Sequence, residues 1–208
     1  IKGIHLEGLR VIGDPNSIAL DYYNNYVDEI IFIDVVASLY GRNNLFDVIN
    51  KAAQNIFVPI TVGGGIRNIN DINLALRNGA DKVAINTAAI KNPKILVEAS
   101  RIFGSQCIVL SIEAKKRESG IWEALMDNGR EKTEISVEDW VVEAEKLGVG
   151  EILLTSVDKE GTQSEYDLEL IEKVCSKVNI PVIACGGAGS LDSITSLLKN
   201  VNSSVCIS

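Results

Sequence analysis

Pro59-Ile60-Thr61-Val62-Gly63-Gly64-Gly65 decides the fold, because its pattern returns as Pro181-Val182-Ile183-Ala184-Cys185-Gly186-Gly187, 122 positions later. A proline, a short strand-forming run and a glycine pair recur in one register. Working outward, Asp28-Glu29-Ile30-Ile31-Phe32 aligns at the same offset with Gly150-Glu151-Ile152-Leu153-Leu154. Val83-Ala84-Ile85-Asn86 aligns with Val205-Cys206-Ile207-Ser208. A duplicated half explains this better than chance similarity. Each half carries a glycine-rich strand end, so the protein is expected to grip two similar groups, one per half.

Short Ile- and Val-rich runs alternate with amphipathic stretches along the whole chain. Strands are predicted at 29–34, 58–62, 82–86, 107–113, 151–155, 181–185 and 204–208. Helices are predicted near 14–26, 43–54, 69–78, 92–102, 136–147, 167–178 and 190–199. Asp14-Pro15 places a capping side chain before a proline at the first helical position. Such alternation argues for βαβ units around a parallel sheet. Eight units would make a (β/α)8 TIM barrel of about 250 residues, and two 122-residue halves come close to that. The expected architecture is a single α/β domain over 1–208, built from two half-barrel repeats, with the first strand and last helix outside the chain. Glu113 agrees, since its repeat partner would precede residue 1. A barrel without one strand exposes two unpaired edges, which predicts poor stability for a lone monomer. One segment breaks the alternation. Between Glu113 and Ser136, with the turn signal Asn128-Gly129, an inserted β-hairpin is predicted at about 114–135.

Bulk composition narrows the classes. The 208 residues are 46% hydrophobic with a formal net charge of −8. That balance argues against a nucleic-acid partner, which calls for a basic face. No run approaches the ~18 apolar residues of a membrane span, so no membrane partner is expected. No signal peptide is visible, although residue 1 is Ile and the sole methionine is Met126. The expected location is cytoplasmic. Cys107, Cys175, Cys185 and Cys206 form no CxxC pair and read as reduced. With His5 the one histidine, neither a metal site nor another cofactor is expected.

Inward-facing positions alternate along barrel strands. Lys82, Ala84 and Asn86 form one such series, Val109, Ser111 and Glu113 another, and Glu151, Leu153 and Thr155 a third. Glu29, Lys82 and Glu151 therefore form a ring of opposite charges at the barrel floor, or simply face solvent. At the opposite ends, Gly64, Gly65, Gly186 and Gly187 let backbone N–H groups approach an anion. Asn86-Thr87 and Ser208 close the next strand in each half, which predicts two phosphate sites. Asp34, Glu113, Asp158 and Glu160 lie at strand ends, where acids in barrels tend to be catalytic; Asp158 to Thr162 also reads as a solvated loop. Glu113 ends an apolar run and is positioned for general acid–base work.

These motifs, from Gly13-Asp14-Pro15 through Thr61-Val62-Gly63-Gly64-Gly65-Ile66 and Ala80-Asp81-Lys82-Val83-Ala84-Ile85-Asn86-Thr87 to Cys185-Gly186-Gly187-Ala188-Gly189, resemble the HisF family of histidine biosynthesis along essentially the whole chain. The resemblance implies the cyclase subunit of imidazole glycerol phosphate synthase. This lyase joins ammonia to phosphoribulosyl-formimino-carboxamide ribotide, giving imidazole glycerol phosphate and aminoimidazole carboxamide ribotide. It implies a glutaminase subunit (HisH-like) at the N-terminal barrel face and a bisphosphorylated small-molecule substrate. The family's ammonia gate maps onto Glu29, Lys82 and Glu151. One phosphate site maps to Gly65, Asn86 and Thr87, the other to Gly161, Gly187 and Ser208, with Lys2 and Thr155 as further substrate contacts. The resemblance implies two aspartates as the acid–base pair, at the ends of strands one and five, and here the chain departs from the pattern: the strand-one aspartate is not in it, and Glu113 and Glu160 stand where the family usually has Asp. A misplacement of about 1 Å can cost ~100-fold in rate. Two alternatives accompany the reading: a HisF-like paralogue that uses channelled ammonia for surface polysaccharide biosynthesis, and a non-catalytic phosphate-binding barrel fragment.

Overall fold

Strands made of Ile and Val with glycine at their ends must bury both faces, and parallel pairing beneath a layer of helices does that. A computed structural model describes residues 2–35, 45–201 and 205–208. The parallel strands are β3 (Ile30–Ile33), β4 (Ile60–Gly63), β5 (Lys82–Ile85), β6 (Ile108–Lys116), β8 (Glu151–Ser156), β9 (Val182–Cys185) and β10 (Val205–Ile207). They hydrogen-bond in the order β10-β9-β8-β6-β5-β4-β3. The remaining strand of this sheet, β7 (Trp122–Leu125), lies antiparallel on the end of β6. Helices α1 (Pro15–Asn24), α2 (Leu45–Ala53), α3 (Ile69–Arg77), α4 (Thr87–Lys91), α5 (Lys94–Phe103), α6 (Val137–Lys146), α7 (Leu168–Cys175) and α8 (Leu191–Asn200) fill the connections. Residues 36–44 and 202–204 lie outside the described residues, as do the first residues of the predicted 43–54 helix and the start of the predicted 204–208 strand.

Side chains on the two faces of the strands form two apolar layers. Val83, Ile85, Ile108, Leu110, Ile112, Ile152 and Leu154 point outward and are buried under the helices. Ala84, Val109, Leu153 and Ile183 point inward and pack with Ile31 and Cys185. The sheet is curled. Lys82 on β5 reaches both Glu29, just before β3, and Glu151 on β8, at 2.8 and 2.7 Å. Each of those strands is two spacings away, about 10 Å in a flat sheet. This is an α/β fold whose parallel strands wrap in the manner of a TIM barrel.

Local chemistry sets the element ends. Asp14, Asn68, Ser136, Asp167 and Ser190 each accept a backbone N–H at a helix start. Asp167 also accepts from Trp122 Nε1 at 3.2 Å and Ser156 Oγ at 3.1 Å, so one cap fastens α7 to β7 and β8.

Three features differ from the sequence expectation. The chain opens with a hairpin, β1 (Lys2–Ile4) and β2 (Glu7–Arg10), and not directly with a helix. Its two-residue turn, His5 and Leu6, has φ of 52° and 64°. That is turn chemistry usually supplied by Asn-Gly, so the sequence carried no signal for it. The short α4 is also extra. In the inserted segment, β6 and β7 pair around a turn at 117–121. Asn128-Gly129 belongs to a second reversal, which brings Met126 opposite Glu131. Glu123 braces the segment: its Oε1 accepts from the N–H groups of Thr133 and Glu134, both at 2.8 Å.

Candidate active site

Cross-strand register puts Glu113 on β6 beside Thr155 on β8, and Thr155 beside Cys185 on β9. This row lies at the C-terminal end of the parallel strands. Beneath it is the inner layer of Ala84, Val109, Leu153 and Ile183.

Glu113 lines a cavity of about 370 Å³ whose wall includes Asp34, Gly64, Gly65, Asn86, Thr87 and Ser111. Asn86 Nδ2 donates to Glu113 Oε2 at 2.6 Å, and the N–H of Gly129 donates to the same oxygen at 3.0 Å. Burial pushes the Glu113 carboxyl up to about 7, against the pull of these two hydrogen bonds, and the nearby Asp127 charge adds to the rise. Such an acid holds or releases a proton near neutrality. Asp34 follows β3, its N–H donating to the carbonyl of Gly63 at 2.9 Å.

The glycines here serve packing as well as openness. Gly64 has φ 87°, and a Cβ there would fall 2.1 Å from the Asp34 carbonyl oxygen. A Cβ on Gly161 would lie 2.0 Å from the carbonyl oxygen of Gly3, and one on Gly187 2.2 Å from that of Glu165.

Thr155, Glu160, Cys185, Gly186 and Ser208 gather in a second group on the other half. The Cys185 thiol donates to Glu160 Oε2 at 3.9 Å. Burial raises the Cys185 thiol, helped by the Glu160 charge. Ser208 N–H bonds the carbonyl of Ala184 at 2.9 Å, and Tyr166 donates its hydroxyl to the carbonyl of Ser208 at 3.2 Å. Asp158 is directed elsewhere. It pairs with Lys115 and accepts the N–H of Lys116 at 2.9 Å. Burial works to raise its carboxyl, but these bonds outweigh burial and lower it. Lys2 opens β1, a strand whose hairpin rests on this side: the N–H of His5 reaches the carbonyl of Glu160 at 2.9 Å. The Lys2 side chain lies outside the described residues.

At the opposite strand ends, Lys82 Nζ bridges Glu29 and Glu151, and Thr61 Oγ1 donates to Glu29 Oε1 at 2.5 Å. Burial pulls the Lys82 ammonium down, but the bonds to Glu151 and Glu29 prevail and raise it. The four steps from Lys82 to Asn86 span about 13 Å at strand rise, so floor and cavity are the two ends of β5.

The structure thus brings Glu113, Asp34, Gly64, Gly65, Asn86 and Thr87 together, and separately Thr155, Glu160, Gly186 and Ser208. Sequence reasoning missed Asp127, Thr61 and Lys91. Asp127 lies in an irregular loop with no strand parity, and Thr61 reads as an ordinary strand residue. Among the described residues no helix is long and apolar enough to cross a membrane.

The family described as "Histidine biosynthesis protein" matches residues 1–208. An imidazole glycerol phosphate synthase subunit HisF from Legionella pneumophila is 59% identical over 192 residues, covering 92% of this chain and 91% of that protein. The protein of that name from Lactococcus lactis subsp. cremoris strain SK11 is 48% identical, covering 100% and 80%. One from Hydrogenobaculum sp. strain Y04AAS1 is 46% identical, covering 100% and 82%.

Proposed function

Since the chain belongs to the HisF family of histidine biosynthesis proteins, we propose that it is the cyclase subunit of an imidazole glycerol phosphate synthase. In this reading it joins ammonia to phosphoribulosyl-formimino-carboxamide ribotide, yielding imidazole glycerol phosphate and aminoimidazole carboxamide ribotide. The seven parallel strands are read as seven of the eight strands of a (β/α)8 barrel made of two half-barrel repeats, and its place as the cytoplasm. The observation that carries the reading is Glu113: a carboxyl poised at about 7 in a cavity with Asp34, directly up β5 and β6 from a charged ring.

Bond formation by ammonia and closure of a ring each need protons added and removed. Glu113 keeps both hydrogen bonds on Oε2, so Oε1 is the atom that exchanges a proton with substrate. Asp34 supplies the second carboxylate of the same cavity. Asn86, Thr87 and the Gly64-Gly65 turn hold one phosphate; Gly161, Gly186, Gly187, Ser208 and Thr155 hold the other, with Lys2 nearby. Glu160 and Asp158 flank that second half, Asp158 acting through Lys115. The Glu29–Lys82–Glu151 ring is where ammonia from a HisH-like glutaminase, docked on the N-terminal face, enters. Gly63 and Ala84, paired on neighbouring strands between floor and cavity, are the small inward residues that leave that route open.

The test is turnover of the ribotide with an ammonium salt. Glu113→Gln is expected to lower kcat by ~10²-fold or more, with KM little changed. Undiminished turnover would overturn the acid–base assignment. The Glu-for-Asp changes at 113 and 160 favour, as the second reading, a paralogue acting on another ammonia acceptor. Complementation of a histidine auxotroph separates the two: growth supports the cyclase, and its failure with intact ammonia-dependent chemistry on a sugar acceptor supports the paralogue.

A further inference from the structure

Asp127 meets both Thr87 and Lys91 at one corner of the cavity. Thr87 Oγ1 donates to Asp127 Oδ1 at 3.3 Å and accepts the N–H of Asp127 at 3.0 Å. Lys91 Nζ stands 3.6 Å from Asp127 Oδ2. The Asp127 side chain is only 16% exposed, whereas that of Lys91 is 57% exposed. All three residues line the cavity.

The carboxylate reaches this corner from a tight loop. Asp127, Asn128 and Gly129 have φ of 51°, 59° and 76°, three consecutive residues in the left-handed region. Asp, Asn and Gly are the residues that adopt this conformation most readily. The loop is held from outside, by the N–H of Asp127 on Thr87, by the N–H of Gly129 on Glu113 and by Asn86 Nδ2 on the carbonyl of Leu125 at 3.1 Å. None of those bonds uses the Asp127 carboxylate. Next to it, Asn128 Nδ2 is buried with no hydrogen-bond partner, a donor facing no acceptor. A buried donor left unmet is unfavourable, so this loop arrangement is not the one that satisfies all its polar groups. A phosphate at the corner would bring acceptor oxygens to Thr87, Lys91 and Asn128 at once.

We infer that the Asp127 carboxylate is an internal anion occupying the Thr87–Lys91 corner, and that the substrate's phosphate enters by displacing it. The inference rests on the two-phosphate reading above. Asp127 is then a specificity residue. It taxes every ligand that cannot out-compete a carboxylate, and it ties arrival of a phosphate to a shift of the loop that also carries the N–H on Glu113. If the corner is self-occupied about nine-tenths of the time, its removal tightens phosphate binding about tenfold.

The experiment is a titration of the full chain with inorganic phosphate, followed at the backbone amides of Thr87, Ala88 and Asp127. Those of Gly187 and Ala188 serve as the internal control in the other half. In the wild type, the Asp127 amide is expected to shift with the same midpoint as Thr87, as it loses its hydroxyl partner. Asp127→Asn and Asp127→Ser are expected to bind phosphate about tenfold tighter at Thr87, with the midpoint at Gly187 unchanged. Two variants guard against a folding defect in one, and the wild-type readout needs neither. Phosphate that moves Thr87 with unchanged or weaker affinity in both variants overturns displacement and leaves the phosphate site standing. An Asp127 amide that stays still while Thr87 shifts does the same. Absence of any shift at Thr87 in all three proteins, with shifts at Gly187, removes the first-half phosphate site and the inference with it.

Discussion

Glu113 sits where three influences oppose one another. Burial favours its neutral form, the Gly129 and Asn86 bonds favour the carboxylate, and the Asp127 charge sides with burial. With a folded value of about 7 against an ordinary 4.5, the folded chain holds more protons than the unfolded one between those pH values. The resulting stability is fully present below about pH 4.5 and is lost as pH climbs through 7. Thermal melts of Glu113→Gln should therefore lose less stability than wild type between pH 5 and pH 8, by on the order of 3 kcal/mol at most. Equal slopes would mean that Glu113 is not the buried acid described here. Lys82 presents the opposite case. Lys82→Met leaves Glu29 and Glu151 facing each other without a cation, so it should destabilise the fold measurably at neutral pH. It should also change glutamine-driven turnover, with the partner present, more than ammonium-driven turnover. An equal effect on both would argue against a gate at this ring.

Among the elements, the strand-to-helix turns carry the tightest local demands. Gly187 has φ 102° and would place a Cβ 2.2 Å from the Glu165 carbonyl oxygen. Gly187→Ala should cost ~2 kcal/mol or more through strain and clash together, read as a fall in denaturant midpoint with unchanged slope. Ser190→Ala removes the capping box that opens α8 and should cost ~1 kcal/mol. A larger loss from Ser190→Ala than from Gly187→Ala would contradict this ordering. The glycines were legible as strand-end punctuation, and their repeat located both turns. Their packing against Asp34, Gly3 and Glu165 was not legible, because those neighbours come from distant segments. The β1–β2 hairpin was missed for a similar reason. His5 and Leu6 are poor turn residues, and what anchors them is Val157, whose carbonyl meets His5 Nδ1 at 2.9 Å.

For the whole molecule, position in the sheet sets resistance to opening. β6 and β8 lie mid-sheet, with Leu110 and Ile152 fully buried and paired to each other. The β1–β2 pair is a two-stranded sheet of its own. Hydrogen exchange should therefore be slowest at Leu110, Ile152 and their neighbours, and fastest among the amides of the N-terminal hairpin. Protection of that hairpin equal to the central strands would show that it folds as part of the barrel wall.

The 122-residue repeat, the period of the apolar runs and the capping residues are local or statistical properties of the chain. They determined the βα alternation, the parallel sheet and which strand ends carry acids and glycines. Parity showed which residues share a face of a strand, but it left Glu29, Lys82 and Glu151 either as a ring or facing solvent, and the ion pairs of the folded sheet join them. Parity fails in loops. Only the tertiary structure placed Asp127 on Thr87 and Lys91, turned Asp158 toward Lys115 and set Cys185 against Glu160. Each of these contacts joins residues far apart in sequence, so tertiary packing and not local propensity chose the partners.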